Sequence, residues 1–210
     1  WQEVFQYAAD RGVEVFLFHW EVYANGAIGK YGITEDQTNP ELVAYVRASV
    51  KQALLTYPNL KGIGVTSGEH DNRALDKKNN DGTQNEHSTE NYIYNTYARG
   101  IMDAQKDKMW DGRDFRFIYR RHGVPNEDPE LIKEAFFNRK DGQPDYNGGI
   151  LNSSVKYSVA HMYSSRRPME WEDRIVDTGF LNSGFKVWLN LRNDDIFMHR
   201  WGSPDYTDRK

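Results

Sequence analysis

Short apolar runs rich in β-branched and aromatic residues recur along the chain, at Gly12 to Trp20 (GVEVFLFHW), Gly62 to Thr66, Phe115 to Tyr119, Val155 to Met162 and Phe185 to Leu191. Runs of this length and make-up, bounded by polar and turn-forming residues, predict five strands. Between the first two, Asn39-Pro40-Glu41 supplies an N-cap with Pro at the first helical position. Leu42, Val46, Val50, Ala53 and Leu54 follow as a helical stripe that ends near Tyr57-Pro58. From Ser88 onward, Ile93, Tyr97, Ile101 and Ala104 fall at spacings of four, four and three, which predicts a second helix. Asp128-Pro129-Glu130 opens a third, carrying Leu131, Ile132, Ala135 and Phe136, and a further helical stretch follows Pro168 through Val176. Trp1, Val4, Phe5 and Ala8 already sit at helical spacing before Arg11-Gly12, and Gly202-Ser203-Pro204 reads as a helix start close to Lys210. The chain is therefore expected to be a piece of a longer protein.

Strands that alternate with amphipathic helices predict parallel βαβ units, in an open doubly wound sheet or in a (β/α)8 barrel. The loops favour the barrel. Long polar stretches follow the strands (Glu21 to Thr38, Ser67 to His87), whereas the return from helix to strand is short, as in Pro58-Asn59-Leu60-Lys61. No GxGxxG or GxxxxGK[ST] follows any strand, which removes the commonest nucleotide-binding reasons for an open sheet. The expected fold is α/β, a partial (β/α)8 TIM barrel with about five βα units, in which residues 1–210 form a single catalytic domain.

Composition narrows the chemistry. With 27 Lys and Arg against 31 Asp and Glu, the net charge of -4 gives no bulk positive field for nucleic acid or anionic lipid. No apolar run approaches the roughly 18 residues that would span a bilayer. The absence of Cys excludes disulfides, thiolate metal sites and cysteine nucleophiles and leaves the compartment open. Aromatic residues make up 14% of a chain whose mean hydropathy is -0.84, which implies rings with one wet face, as in sugar sites. Asp76 to Thr89 is a polar stretch with Lys77 where a calcium loop needs its first carboxylate, and it is expected to be a surface loop. Asn152-Ser153-Ser154 matches a glycosylation triplet of a kind that arises by chance.

In a barrel, the residues just past each strand share one pocket. Here they run His19-Trp20, Glu69-His70-Asp71, Arg120-Arg121-His122, His161 with Tyr163, and Asn190 with Arg192, Asn193, Asp194 and Asp195. Glu69, in the glycine-flanked turn Ser67-Gly68-Glu69, is the candidate general acid; the alternative is a solvated loop glutamate. Asp194 or Asp195 is the second carboxylate, with the other of the pair bracing the loop. Two carboxylates on separate walls of one pocket meet the requirement for glycoside hydrolysis, one protonating the leaving oxygen and the other acting as nucleophile or base. Arg120, Arg121 and Arg192 suit bidentate binding of a uronate, or else each positions a pocket carboxylate. His19, His122, His161, Tyr163 and Asn190 are candidates for substrate contact. Trp20, Tyr23, Tyr31, Tyr163 and Trp201 offer faces for sugar rings, although rings also close barrel mouths as plain packing.

The set His19-Trp20-Glu21-Val22-Tyr23, Gly29-Lys30-Tyr31-Gly32-Ile33-Thr34, Thr56-Tyr57-Pro58, Gly62 to Glu69, and Leu191-Arg192-Asn193-Asp194-Asp195 with Arg200-Trp201-Gly202 resembles the barrel domain of α-glucuronidase-like glycoside hydrolases of polysaccharide-degrading bacteria. It is similar, more generally, to barrel glycosidases whose acid and second carboxylate follow strands four and seven. The resemblance implies a glycosidase acting on a polysaccharide or oligosaccharide, with a carbohydrate as the partner, no cofactor, and a periplasmic or extracellular location. Those enzymes usually place Asn before the acid and Glu on the later strand, whereas Gly68 and an Asp stand here, so an inverting mechanism is as plausible as a retaining one. Two rival readings remain. Glu69, His122, His161 and an Asp from successive walls would suit a metal-dependent barrel hydrolase. A catalytically silent carbohydrate-binding barrel would share the fold without turnover.

Overall fold

The computed structural model describes residues 1–20, 24, 26–67, 89–121, 129–156 and 186–190; residues 121, 129–131, 155–156 and 186–190 are described for their backbone alone. The elements run α1 (Gln2–Ala9), β1 (Val15–Trp20), α2 (Pro40–Thr56), β2 (Leu60–Ser67), α3 (Thr89–Ile93), a π-helical turn (Tyr94–Ala98), α4 (Arg99–Gln105), β3 (Arg116–Arg121), α5 (Pro129–Phe136), β4 (Ile150–Lys156) and β5 (Lys186–Asn190).

Local chemistry explains the helices. Asn39 accepts the Leu42 amide at 2.8 Å as N-cap, Pro40 fills the first position, and Leu42, Val46, Val50 and Leu54 are the buried face of α2. The Arg113 guanidinium, lying 4.2 Å over the Trp110 ring, closes the other end by donating to the carbonyls of Leu54 and Tyr57. Ile93, Tyr97, Ile101 and Ala104 are all fully or almost fully buried. Successive steps of four residues drift off a 3.6-residue period, and the wider π turn between α3 and α4 keeps these side chains on one side. Helix α4 crosses α2 closely at Gly100, where a Cβ would lie 2.8 Å from the Arg47 carbonyl oxygen. Arg47 with Asp103 (2.6 Å) and Lys51 with Asp107 (2.8 Å) clasp the outer edge of that crossing.

The five strands are parallel and lie side by side in the order of the sequence, β1-β2-β3-β4-β5. Among the described residues the sheet is open, and β1 and β5 are its edges. Its core lies between one sheet face and the helices: Leu17, Ile63, Val65, Phe117, Tyr119 and Leu151 pack with Val46, Leu54, Tyr97, Ile101 and Phe136. The Phe117 ring stacks on Tyr97 and also meets Phe136 and Tyr146. Alternation turns the other set of side chains to the opposite face. There Phe16 and Phe18 lie across Gly62 and Gly64, their register partners, so closely that a Cβ on Gly64 would fall 2.3 Å from the Phe18 ring.

The fourth strand differs from its sequence-based position. The expected span was Val155 to Met162, whereas β4 begins at Ile150. Gly149, with φ of 103° and room for no Cβ beside the Phe115 carbonyl, starts the strand after the turn. Asn152, Ser153 and Ser154 then form its middle and are buried, so this triplet is not an exposed glycosylation acceptor. The residues from 157 onward in the expected strand, the helix after Pro168 and the Gly202-Ser203-Pro204 start lie outside the described residues. No described helix is long and apolar enough to cross a membrane.

Candidate functional site

Because every strand points the same way, Trp20, Ser67, Arg121, Lys156 and Asn190 end their strands at one edge of the sheet. The sequence-predicted residues Trp20, Arg120, Arg121 and Asn190 are brought to this edge. Glu69 stands two positions past Ser67, and His122 one past Arg121; both lie outside the described residues, as do Tyr23, His161, Tyr163, Arg192, Asp194, Asp195 and Trp201.

The two faces of that edge carry different groups. On the face away from the helices, Trp20 pairs with Thr66 and Thr66 with Arg120, while Ser154 lies one step beyond the Tyr119 and Ser153 pair. Trp20 is 45% exposed, Arg120 is half-buried, and Thr66 and Ser154 are buried. The Ser154 hydroxyl has no hydrogen-bond partner among the described residues. This arrangement sets a half-exposed indole beside buried hydroxyls and a half-buried guanidinium at the strand ends. One level below, Phe18, Gly64, Ile118 and Asn152 line up across the sheet, and Phe16, Gly62 and Arg116 form the level beneath that.

His19 belongs to the other face. Its Nδ1 lies 2.9 Å from the Trp20 carbonyl oxygen and 3.2 Å from the Tyr97 hydroxyl, and its ring sits 5.1 Å from that of Tyr97. A carbonyl only accepts, so Nδ1 carries the proton and Nε2 is the acceptor in the neutral ring. Burial lowers the His19 pKa below 6.5, against the raising effect of the Trp20 carbonyl. The imidazole thus lies against Tyr97 of the π turn, on the face opposite Trp20 and Arg120.

The same face holds a polar chain that the sequence did not single out. The Tyr119 hydroxyl donates to Glu90 Oε1 at 3.1 Å and lies 2.7 Å from Ser67 Oγ. Glu90, in the first turn of α3, is fully buried, as is Ser67. The signal available was Thr89-Glu90 at a helix start, where a carboxylate ordinarily faces water near the amide dipoles. Tyr31, offered as a stacking ring, is 92% exposed and takes φ of 55° between Gly29 and Gly32, a left-handed turn conformation.

Three comparisons return no match. No protein-family model matches this chain, no curated protein matches it, and no solved structure matches it. Among the described residues no group of three or more His, Asp or Glu side chains is placed to hold a metal ion.

Proposed function

We propose that this chain is part of a (β/α)8 barrel of an α-glucuronidase-like glycoside hydrolase, acting outside the cytoplasm on a polysaccharide or oligosaccharide, with uronic-acid-containing glycans as the first substrates to test. The observation that carries the barrel part of this reading is the strand order, while the chemistry rests on the resemblance and on the carboxylates Glu69 and Asp194 or Asp195. Five parallel strands advance across the sheet without a reversal, as in a barrel, whereas a doubly wound sheet turns back at a switch point. The edge bearing Trp20, Thr66, Arg120 and Ser154 is the C-terminal edge, where barrel enzymes hold their substrates. In this reading Glu69 is the general acid, and Asp194 or Asp195 is the opposing carboxylate that serves as base or nucleophile.

General acid catalysis contributes a factor of about 10² to 10⁴ and matters most for leaving groups that need a proton. Glu69→Gln in the intact protein is therefore expected to lose that factor on a natural glycan and far less on an activated aryl glycoside. Asp194→Asn and Asp195→Asn, made separately, are expected to slow both substrates, the larger loss marking the working carboxylate. Equal losses on both leaving groups for Glu69→Gln, or full activity, would remove Glu69 from the acid role.

A further inference from the structure

We propose that Glu90, Tyr119 and Ser67 form a positioning network that fixes the end of β2, and through it the carboxylate two residues farther along the chain; this rests on the glycoside-hydrolase reading. The three side chains come from three elements: Ser67 ends β2, Tyr119 lies in β3, and Glu90 is in the first turn of α3. Their hydrogen bonds have a direction. Tyr119 gives its proton to Glu90 Oε1 at 3.1 Å, which leaves its oxygen to accept from the Ser67 hydroxyl at 2.7 Å.

Ser67 stands immediately before residues 68–88, and Glu90 stands two positions after them. One phenolic hydroxyl therefore ties together the two ends of the connection that carries Glu69. The Tyr119 ring packs 6.0 Å from Phe136, and the whole side chain is 1% exposed, so the hydroxyl has little freedom to swing. A role confined to packing would be met by apolar side chains with no desolvation cost. Three buried polar groups in line at the strand edge serve geometry instead, because a general acid displaced by an ångström loses most of its effect.

The network has no contact with substrate in this reading, so its signature is a split between turnover and binding. In the intact protein, on a natural glycan, Tyr119→Phe and Glu90→Ala are expected to lower kcat at least about tenfold with KM within about twofold. Glu90→Gln keeps an acceptor oxygen for the Tyr119 hydroxyl, so it is expected to restore kcat to within about threefold of wild type. Wild-type kcat in Tyr119→Phe, a loss confined to KM, or a Glu90→Gln variant as slow as Glu90→Ala would overturn the proposal. Amide hydrogen exchange separates this outcome from failure of the hydrolase reading itself. Tyr119→Phe is expected to speed exchange at Val65, Thr66 and Ser67 by about tenfold or more while Leu17 and Phe18 in β1 keep their rates. Unchanged exchange at Ser67 sinks the network whatever the enzyme does, and a wild-type protein inactive on every glycan, with the exchange result intact, sinks only the hydrolase reading.

Discussion

On the helix-packed face of the sheet, Val65, Phe117 and Tyr119 are at most 1% exposed, whereas on the opposite face of neighbouring positions Phe18 and Trp20 are 45% exposed and Gly62 and Gly64 carry no side chain at all. The same strands thus present a filled surface to the helices and an uneven one to the other side. Polar groups occur on both, but differently. Behind the sheet, Ser67, Tyr119 and Glu90 are joined to one another; in front, Thr66, Arg120 and Ser154 form a row at the C-terminal edge, and the Ser154 hydroxyl is unmatched among the described residues. The difference separates a face sealed by the helices from one that mixes half-exposed rings with buried groups such as Ile118, Thr66 and Ser154.

The sharpest way to break this comparison is to truncate one ring on each side. Phe117 is fully buried among Tyr97, Phe136 and Tyr146, so Phe117→Ala is expected to cost about 3 to 5 kcal/mol, from lost transfer energy and the cavity left behind. Trp20→Ala removes a larger ring that is already half in water, and is expected to cost about 1 kcal/mol or less. Urea unfolding with an unchanged m-value measures both. A Trp20→Ala loss as large as that of Phe117→Ala would mean that the second face is core as well.

Glycine substitutions sharpen the comparison at the level beneath the rim. A Cβ on Gly62 would lie 2.5 Å from the backbone carbonyl oxygen of Arg116, its partner in the ladder, and that atom cannot retreat without moving β3. At Gly64 the three nearest atoms all belong to the Phe18 ring, which is partly exposed and can turn away. Gly62→Ala is therefore expected to cost about 1 to 3 kcal/mol and Gly64→Ala distinctly less. The reverse ranking in the same unfolding experiment would show that the Phe18 ring is locked.

How far the sequence reached follows the same division. Helix α2 was legible because Asn39, Pro40 and a stripe of apolar residues are local signals, and the parallel order followed from alternating strands and helices. The start of β4 was not legible. Ile150-Leu151-Asn152-Ser153-Ser154 is half polar, and its burial comes from neighbours far along the chain, while the more apolar Val155 to Met162 drew the strand toward its own end. The row of Trp20 and Arg120 could be read as strand ends, yet nothing in the spacing told that His19 would face Tyr97 from the other side. Glu90 escaped notice for a related reason: a glutamate in a first helical turn is ordinarily solvated, and only the approach of Tyr119, 29 residues later, makes it part of a buried chain.

The smallest expected effect tests the placement of His19 against Tyr97. Burial holds its pKa below 6.5, the Trp20 carbonyl opposing this only in part, so the folded protein disfavours the charged ring relative to the unfolded chain. Below 6.5 the unfolded state binds more protons at this position, and stability then rises with pH. The contribution is fully present above 6.5 and is lost as the pH falls through the lower, folded value. His19→Gln removes the titration while leaving an amide able to reach the Trp20 carbonyl, and other acid-sensitive groups cancel when wild type and variant are compared. Unfolding free energies measured from about pH 8 down to about pH 5 are therefore expected to fall more steeply for wild type than for His19→Gln. Parallel curves would show that the ring titrates as it would in water. A variant that falls more steeply than wild type would reverse the sign and place the imidazole beside negative charge instead of against Tyr97.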